Sequence, residues 1–141
     1  DNDFRRQNEW VLYSSYFYLL PALYILFTPL KKYTILAFIA FMQLFLSIFS
    51  DYTFVEDNGK LSQVIQSVDR VNSIIYTIYI ICLIYSNYEI PSILYVCLTI
   101  ILIEYSRKSQ NQEEWVKRHS IWHVSSSIIL LLTLYEANSR I

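Results

Sequence analysis

Four long stretches without a charged residue dominate this sequence. They are Trp10 to Leu30, Tyr33 to Ser50, Val71 to Tyr88 and His119 to Tyr135. A helix of about 20 apolar residues is long enough to cross the hydrocarbon core of a bilayer. Trp10 to Leu30 is also too long for the apolar region of a signal peptide, so it is predicted to be a membrane helix. The pattern therefore predicts an all-α, polytopic transmembrane protein.

The composition agrees with this class. Charged residues make up 16% of the 141 residues and hydrophobic residues 55%, whereas about a quarter of a soluble domain is charged. Eleven basic and twelve acidic residues leave a net charge of −1, so no strong field would attract a nucleic acid. Cys82 and Cys97 lie in apolar stretches and behave as small hydrophobes. One transmembrane domain over residues 1–141 is predicted, with no nucleic-acid partner.

Five transmembrane helices are predicted, separated by turns and two polar loops. They run from about Glu9 to Thr28 with a kink at Pro21, Tyr33 to Tyr52, Val68 to Ser86, Ile90 to Tyr105, and from the end of the loop Ser106 to Arg118 to about Tyr135. The other loop is Thr53 to Gln63, which holds the single glycine, Gly59. The fourth helix has only 14 uncharged residues, which is short for a bilayer. We expect it to pack against another polypeptide or a bound lipid.

Basic residues predict the orientation of the bundle. Eight lie on the N-terminal side: Arg5, Arg6, Lys60, Arg70, Arg107, Lys108, Lys117 and Arg118. Three lie on the other side: Lys31, Lys32 and Arg140. By the positive-inside rule the N-terminus is in the cytoplasm, or in the matrix if the membrane is the mitochondrial inner membrane. Trp10 and Trp115, near helix ends, are predicted to be interfacial anchors.

Three of the predicted helices carry a polar pair at the same end, with the i, i+4 spacing that puts both members on one helix face. The pairs are Ser47 with Asp51, Asp69 with Ser73, and His119 with His123. Ionisable groups inside a membrane protein are costly unless they pair with one another. We therefore expect Asp51, Asp69 and both histidines to form one cluster.

Two histidines one turn apart can direct their nitrogens at a single ion. With a carboxylate from another helix they form a two-His-one-carboxylate set suited to zinc or ferrous iron. A haem is disfavoured, because one helix face cannot supply both axial ligands. Simpler explanations stay open: Asp51 and Asp69 could be loop or capping residues, and polar groups are tolerated near the headgroups.

The order of these motifs resembles the CREST superfamily of seven-helix membrane proteins, which includes alkaline ceramidases, progestin and adipoQ receptors and a myomaker-like branch. The resemblance rests on Leu-Pro-Ala-Leu-Tyr at Leu20 to Tyr24, the run Phe45 to Asp51, Asp69 with Ser73, and His-Ser-Ile-Trp-His at His119 to His123. It covers about the first 75 and the last 25 residues. The chain is shorter than the family by two helices, and Asp51 stands where the family has histidine.

The resemblance implies a set of roles. Asp51, His119 and His123 would be zinc ligands, Asp69 would hold the attacking water, and Ser47 would be an auxiliary donor. The implied activity is hydrolysis of lipid amides or esters.

Three functions remain open from the sequence. The preferred one is a non-catalytic accessory subunit of a larger membrane complex, such as a respiratory complex, because five short helices are expected to leave too little volume for a lipid-sized pocket. The alternative is a zinc-dependent membrane hydrolase of lipid amides or esters. A membrane-fusion factor rests on analogy alone. Membrane lipids and other membrane subunits are the predicted partners.

Overall fold

The computed structural model describes residues 5–30, 33–57, 59–87 and 90–139, and all secondary structure in these ranges is helical. The helices are α1 (Glu9–Ser15), α2 (Leu19–Leu26), α3 (Thr34–Ile48), α4 (Lys60–Asn87), α5 (Ile90–Arg107) and α6 (Gln112–Ser139). Lys31, Lys32 and Arg140, used in the orientation argument, and Glu89, used in the length of the fourth helix, lie outside the described residues.

The first predicted helix is present but irregular. The 3₁₀ turn Tyr16–Tyr18 separates α1 from α2, so the break lies before Pro21 rather than at it. Proline has no N–H, which deprives the Phe17 carbonyl of its α-helical donor four residues on. The chain tightens instead, and the Leu19 N–H donates to the Tyr16 carbonyl three residues back.

A π-helical turn, Phe49–Thr53, follows α3 directly. Its signature is the bond from the Phe54 N–H to the Phe49 carbonyl, five residues back, at 2.8 Å. Such turns hold one extra residue and often occur at functional sites. Here the turn contains Asp51, which was predicted to end an ordinary α-helix.

Two helices begin earlier than predicted, because local capping extends them. The Asp57 carboxylate accepts the Gly59 N–H at 2.8 Å, and α4 starts at Lys60 rather than near Val68. Asn111 Oδ1 accepts the Glu114 N–H at 2.9 Å and Glu114 Oε2 accepts the Gln110 N–H at 3.0 Å, which resembles a capping box. Most of the predicted loop Ser106 to Arg118 is therefore helical.

The helices pack around α6. This helix contacts α1, α2, α4 and α5, while α3 lies between α2 and α4. The main apolar core draws on α2, α3, α4 and α6, with Leu36, Ala40, Ile80 and Leu130 almost fully buried. A smaller cluster of Val11, Val55 and Trp115 closes one end.

The polarity of this bundle is reversed relative to a soluble protein. Large apolar side chains face outward, among them Phe27, Phe38, Ile101 and Tyr135, each more than 60% exposed. Buried polar side chains face inward: Ser14, Ser15, Gln43, Ser47, Ser50, Asp51, His123, Ser126, Ser127 and Thr133. Two described segments, Thr34–Thr53 and Gln112–Ser139, are long and apolar enough to cross a membrane.

Candidate metal centre

Asp51, His119 and His123 meet in the interior of the bundle. One potential ligand atom from each lies within 4.8 Å of the others. Asp51 Oδ2 is 2.8 Å from His119 Nε2 and 3.5 Å from His123 Nε2. The structure thus confirms that these three residues can share a metal ion.

Local helix geometry produces this meeting. The two histidines are one turn apart on α6, and their ring centroids lie 4.4 Å apart. The π-helical turn places Asp51 opposite them, and that carboxylate is 5% exposed. Trp115 stacks on the His119 ring with centroids 5.2 Å apart. Because Trp115 is buried, its prediction as an interfacial anchor is wrong, whereas Trp10 is exposed.

Serine hydroxyls hold the far nitrogens of both rings. His123 Nδ1 lies 2.9 Å from Ser14 Oγ, and His119 Nδ1 lies 3.1 Å from Ser106 Oγ. Ser14 Oγ donates its own proton to the Val11 carbonyl at 2.9 Å, so its oxygen is left to accept from the Nδ1–H of His123. That tautomer leaves the Nε2 lone pair directed at Asp51, which is the arrangement a metal-binding histidine needs.

Ser47 lies beside the three residues. Its Oγ is 3.3 Å from Asp51 Oδ2 and 3.3 Å from His123 Nε2. Ser15 Oγ lies 2.8 Å from Ser47 Oγ, so a hydroxyl pair continues the polar network from α3 to α1. The predicted auxiliary residue is therefore in contact with the candidate metal ligands.

Asp69 is held by a separate set of amide and hydroxyl groups. Gln43 Nε2 donates to Asp69 Oδ1 at 3.1 Å and to Ser73 Oγ at 2.9 Å. The Gln43 side chain is in turn fixed by Asn72 Nδ2, which donates to Gln43 Oε1 at 2.8 Å. The amide of Gln43 thus links α3 to α4 and orients the Asp69 carboxylate.

A cavity of about 680 Å³ connects the two carboxylates. It lies between α4, α5 and α6, and Asp51, Asp69 and His119 all line it. Isoleucines of α4 and α5 and Trp122 form much of its apolar wall. Ligand pockets commonly measure about 300 to 1,000 Å³. The expectation that five helices leave too little room for a lipid-sized pocket is therefore wrong.

The donor set fits a catalytic divalent ion. Ligands of a tetrahedral zinc ion at about 2.0 to 2.2 Å lie about 3.3 to 3.5 Å from one another. The contact between Asp51 and His123, at 3.5 Å, already has this separation, and the contact between Asp51 and His119, at 2.8 Å, needs a small opening. Three protein ligands leave a fourth position free, as in catalytic zinc sites.

Comparison of this chain with models of protein families, with curated proteins and with solved structures gives no match.

Several residues of the site were not predicted from the sequence: Ser14, Ser15, Gln43, Ser106 and Arg5. Ser14 and Ser15 sit inside an apolar stretch, as Gln43 does. A polar residue in the middle of a predicted membrane helix is a signal that could have found these three. Ser106 and Arg5 lie in segments predicted as polar, where nothing distinguishes them.

Proposed function

We propose that this protein is a polytopic, membrane-embedded, zinc-dependent hydrolase of lipid amides or esters. One observation carries the proposal. The two-His-one-carboxylate set and a second carboxylate, Asp69, line or adjoin the same cavity, whose wall is largely apolar. Such a cavity suits a substrate with a polar scissile bond and an acyl chain.

The membrane part of the proposal is supported by the reversed polarity of the bundle. Outward apolar side chains match a lipid environment, since exposed apolar surface of this extent is unusual in a soluble monomer. The inward serines, Gln43 and Thr133 supply hydrogen bonds between helices, as in membrane proteins. The particular membrane, including the mitochondrial inner membrane, stays a prediction.

A bound zinc ion would act as a Lewis acid on the substrate carbonyl. Asp69, oriented by Gln43, is positioned to accept a proton from the attacking water and later to give it to the leaving group. The water oxygen bonds to the carbonyl carbon, and the carbon–oxygen or carbon–nitrogen bond breaks. Ser47 donates to Asp51 Oδ2 and so holds that carboxylate toward the histidines.

Membership of the CREST superfamily is part of this proposal. It is supported by the meeting of the last-helix histidines with the Ser47 and Asp51 pair, and by Asp69 on the neighbouring cavity wall. The aspartate at the position of the family's first histidine does not disable the site chemically, because carboxylates bind zinc at about the same distance as imidazoles.

The test combines metal content with hydrolysis. Full-length protein purified in detergent is analysed for zinc and incubated with N-acyl and O-acyl lipids. We expect about one zinc per chain and release of fatty acid. Asp51→Asn should lose both, while the matched variant Asp57→Asn, at an exposed turn, should retain both. Absence of zinc together with absence of hydrolysis in the wild type would exclude the proposal.

An accessory role in a larger membrane complex is the second candidate. It is favoured by the exposed apolar side chains of α5, Leu94, Leu98 and Ile101, on a helix of 18 residues. That helix measures about 27 Å at 1.5 Å per residue, and a partner subunit could cover it. Native mass spectrometry of membranes solubilised in mild detergent decides the matter, because a subunit travels with its complex and a free enzyme does not.

A further inference from the structure

Arginines line the cavity beside the candidate metal centre. Arg5, Arg70 and Arg107 all contribute to its wall. Arg107 is already paired, with Glu104 at 3.2 Å. The Nε of Arg5 is buried and has no hydrogen-bond partner among the described residues. A buried N–H without an acceptor is costly, and it faces a space that a ligand can enter.

The charge balance of the cavity points to an anion. Its charged lining residues are three arginines and two aspartates, a net charge of +1, which a bound divalent ion would raise to +3. Burial lowers the pKa of the Arg5 guanidinium, the charge of Asp51 opposes this, and the charge of Arg70 lowers it further. Two arginines that repel each other across a cavity are stabilised by an anion between them.

The rest of the wall limits the kind of anion. Ile74, Ile78, Ile103 and Trp122 line the same cavity, so an apolar chain has a surface to lie on. Arginine binds phosphate oxygens through two parallel N–H donors. We propose that the cavity binds an acyl lipid whose headgroup carries a phosphate, with Arg5 and Arg70 as the phosphate-binding residues.

This inference deepens the proposed function by naming its substrate class, and for the reaction it rests on that function. The scissile bond would be the acyl ester next to the phosphorylated glycerol. The water oxygen bonds to the ester carbonyl carbon, the bond from that carbon to the glycerol oxygen breaks, and a water proton passes to the glycerol oxygen. The products are a fatty acid and the deacylated glycerol phosphate.

The test separates binding from turnover. Full-length protein in nonionic detergent is titrated with oleoyl lysophosphatidic acid, with monooleoylglycerol, which lacks only the phosphate, and with glycerol phosphate, which lacks only the chain. We expect the phosphate lipid to bind at least about tenfold more tightly than either. Arg5→Gln and Arg70→Gln should each remove about tenfold of this preference. Arg6→Gln and Lys60→Gln, which remove charges outside the cavity, should leave it unchanged.

Each outcome is informative. Equal affinity for the phosphate lipid and monooleoylglycerol would overturn the inference, even if neutral lipid amides are hydrolysed and the proposed function stands. Equal affinity for glycerol phosphate and the phosphate lipid would overturn the lipid assignment. Arginine-dependent binding of the phosphate lipid without any hydrolysis would support the inference and defeat the proposed function.

Discussion

His123 Nδ1 and Ser14 Oγ lie 2.9 Å apart in the interior of the bundle. The pair joins α6 to α1, and it sets the protonation of the imidazole, because Ser14 has given its own proton to the Val11 carbonyl. The structure therefore prepares the Nε2 of His123 for a metal ion by means of a serine five residues along from Trp10, far from it in sequence. Groups that orient metal-binding histidines in this way are worth about 10- to 100-fold in metal affinity.

The first prediction follows from that contact. Ser14→Ala should weaken zinc binding by about 10- to 100-fold, since the imidazole loses the acceptor that fixes its tautomer. Competition with a zinc-binding dye measures the change. Ser67→Ala, at an exposed position on α4, is the control. Unchanged affinity in Ser14→Ala would show that the contact does not orient the ring for a metal.

The second prediction separates Asp69 from the metal ligands. Asp69→Asn should keep its zinc and lose about 10²- to 10⁴-fold in hydrolysis, because an amide cannot accept the proton of the attacking water. Zinc content and fatty acid release are measured on the same preparation. Loss of zinc in this variant would instead make Asp69 a ligand, and full activity would remove it from the mechanism.

The third prediction concerns metal and stability. Zinc at about 100 times its dissociation constant should stabilise the folded protein by about 2.7 kcal/mol, because it binds the folded chain and not the unfolded one. Thermal unfolding in detergent with and without a chelator gives the difference. His123→Ala should abolish the response to zinc. A response of equal size in this variant would place the bound ion elsewhere.

The fourth prediction tests the packing of the core. Leu130 is fully buried and Leu132, two residues on, is 43% exposed. Leu130→Ala should lower the free energy of unfolding by about 2 kcal/mol or more, because it opens a cavity that neighbours cannot fill. Leu132→Ala should cost much less, since its surroundings can adapt. Equal losses, measured by thermal unfolding in detergent, would contradict the packing of α6 described above.

The fifth prediction addresses topology. A single cysteine at Asn111 and another at Ser139, in a background with Cys82 and Cys97 replaced by serine, should react with impermeant reagents from opposite sides of the membrane. The reason is that α6, which starts after Asn111 and ends at Ser139, is predicted to cross it once. Labelling of both from one side would refute that crossing.

The helical class and the three metal-binding candidates were predictable because both depend on short-range spacing. Uncharged runs of helical length predict helices, and His119 and His123 at i, i+4 must share a face wherever α6 lies. Their meeting with Asp51 was predicted from the matching ends of three helices. These inferences needed no knowledge of how side chains pack.

Other features depend on packing and could not be predicted in the same way. The cavity exists because α4, α5 and α6 leave space between them near Asp69, and no local pattern reports a gap between helices. The Trp115 side chain turns inward to stack on His119, although its position near polar residues favoured an interfacial place. The roles of Ser14 and Ser106 require knowing which ring nitrogen faces which helix.

The π-helical turn at Phe49–Thr53 makes the candidate site unusually sensitive to chain length. Because a π turn holds one more residue than an α turn, deletion of a single residue within it would let α3 continue as regular helix. The side chains beyond the deletion would then rotate by about 100° around the helix axis, given 3.6 residues per turn. A carboxylate at the position of Asp51 would swing away from the histidines while the core of α3 stayed in place. One codon thus separates a chain that can hold an ion from an equally foldable one that cannot.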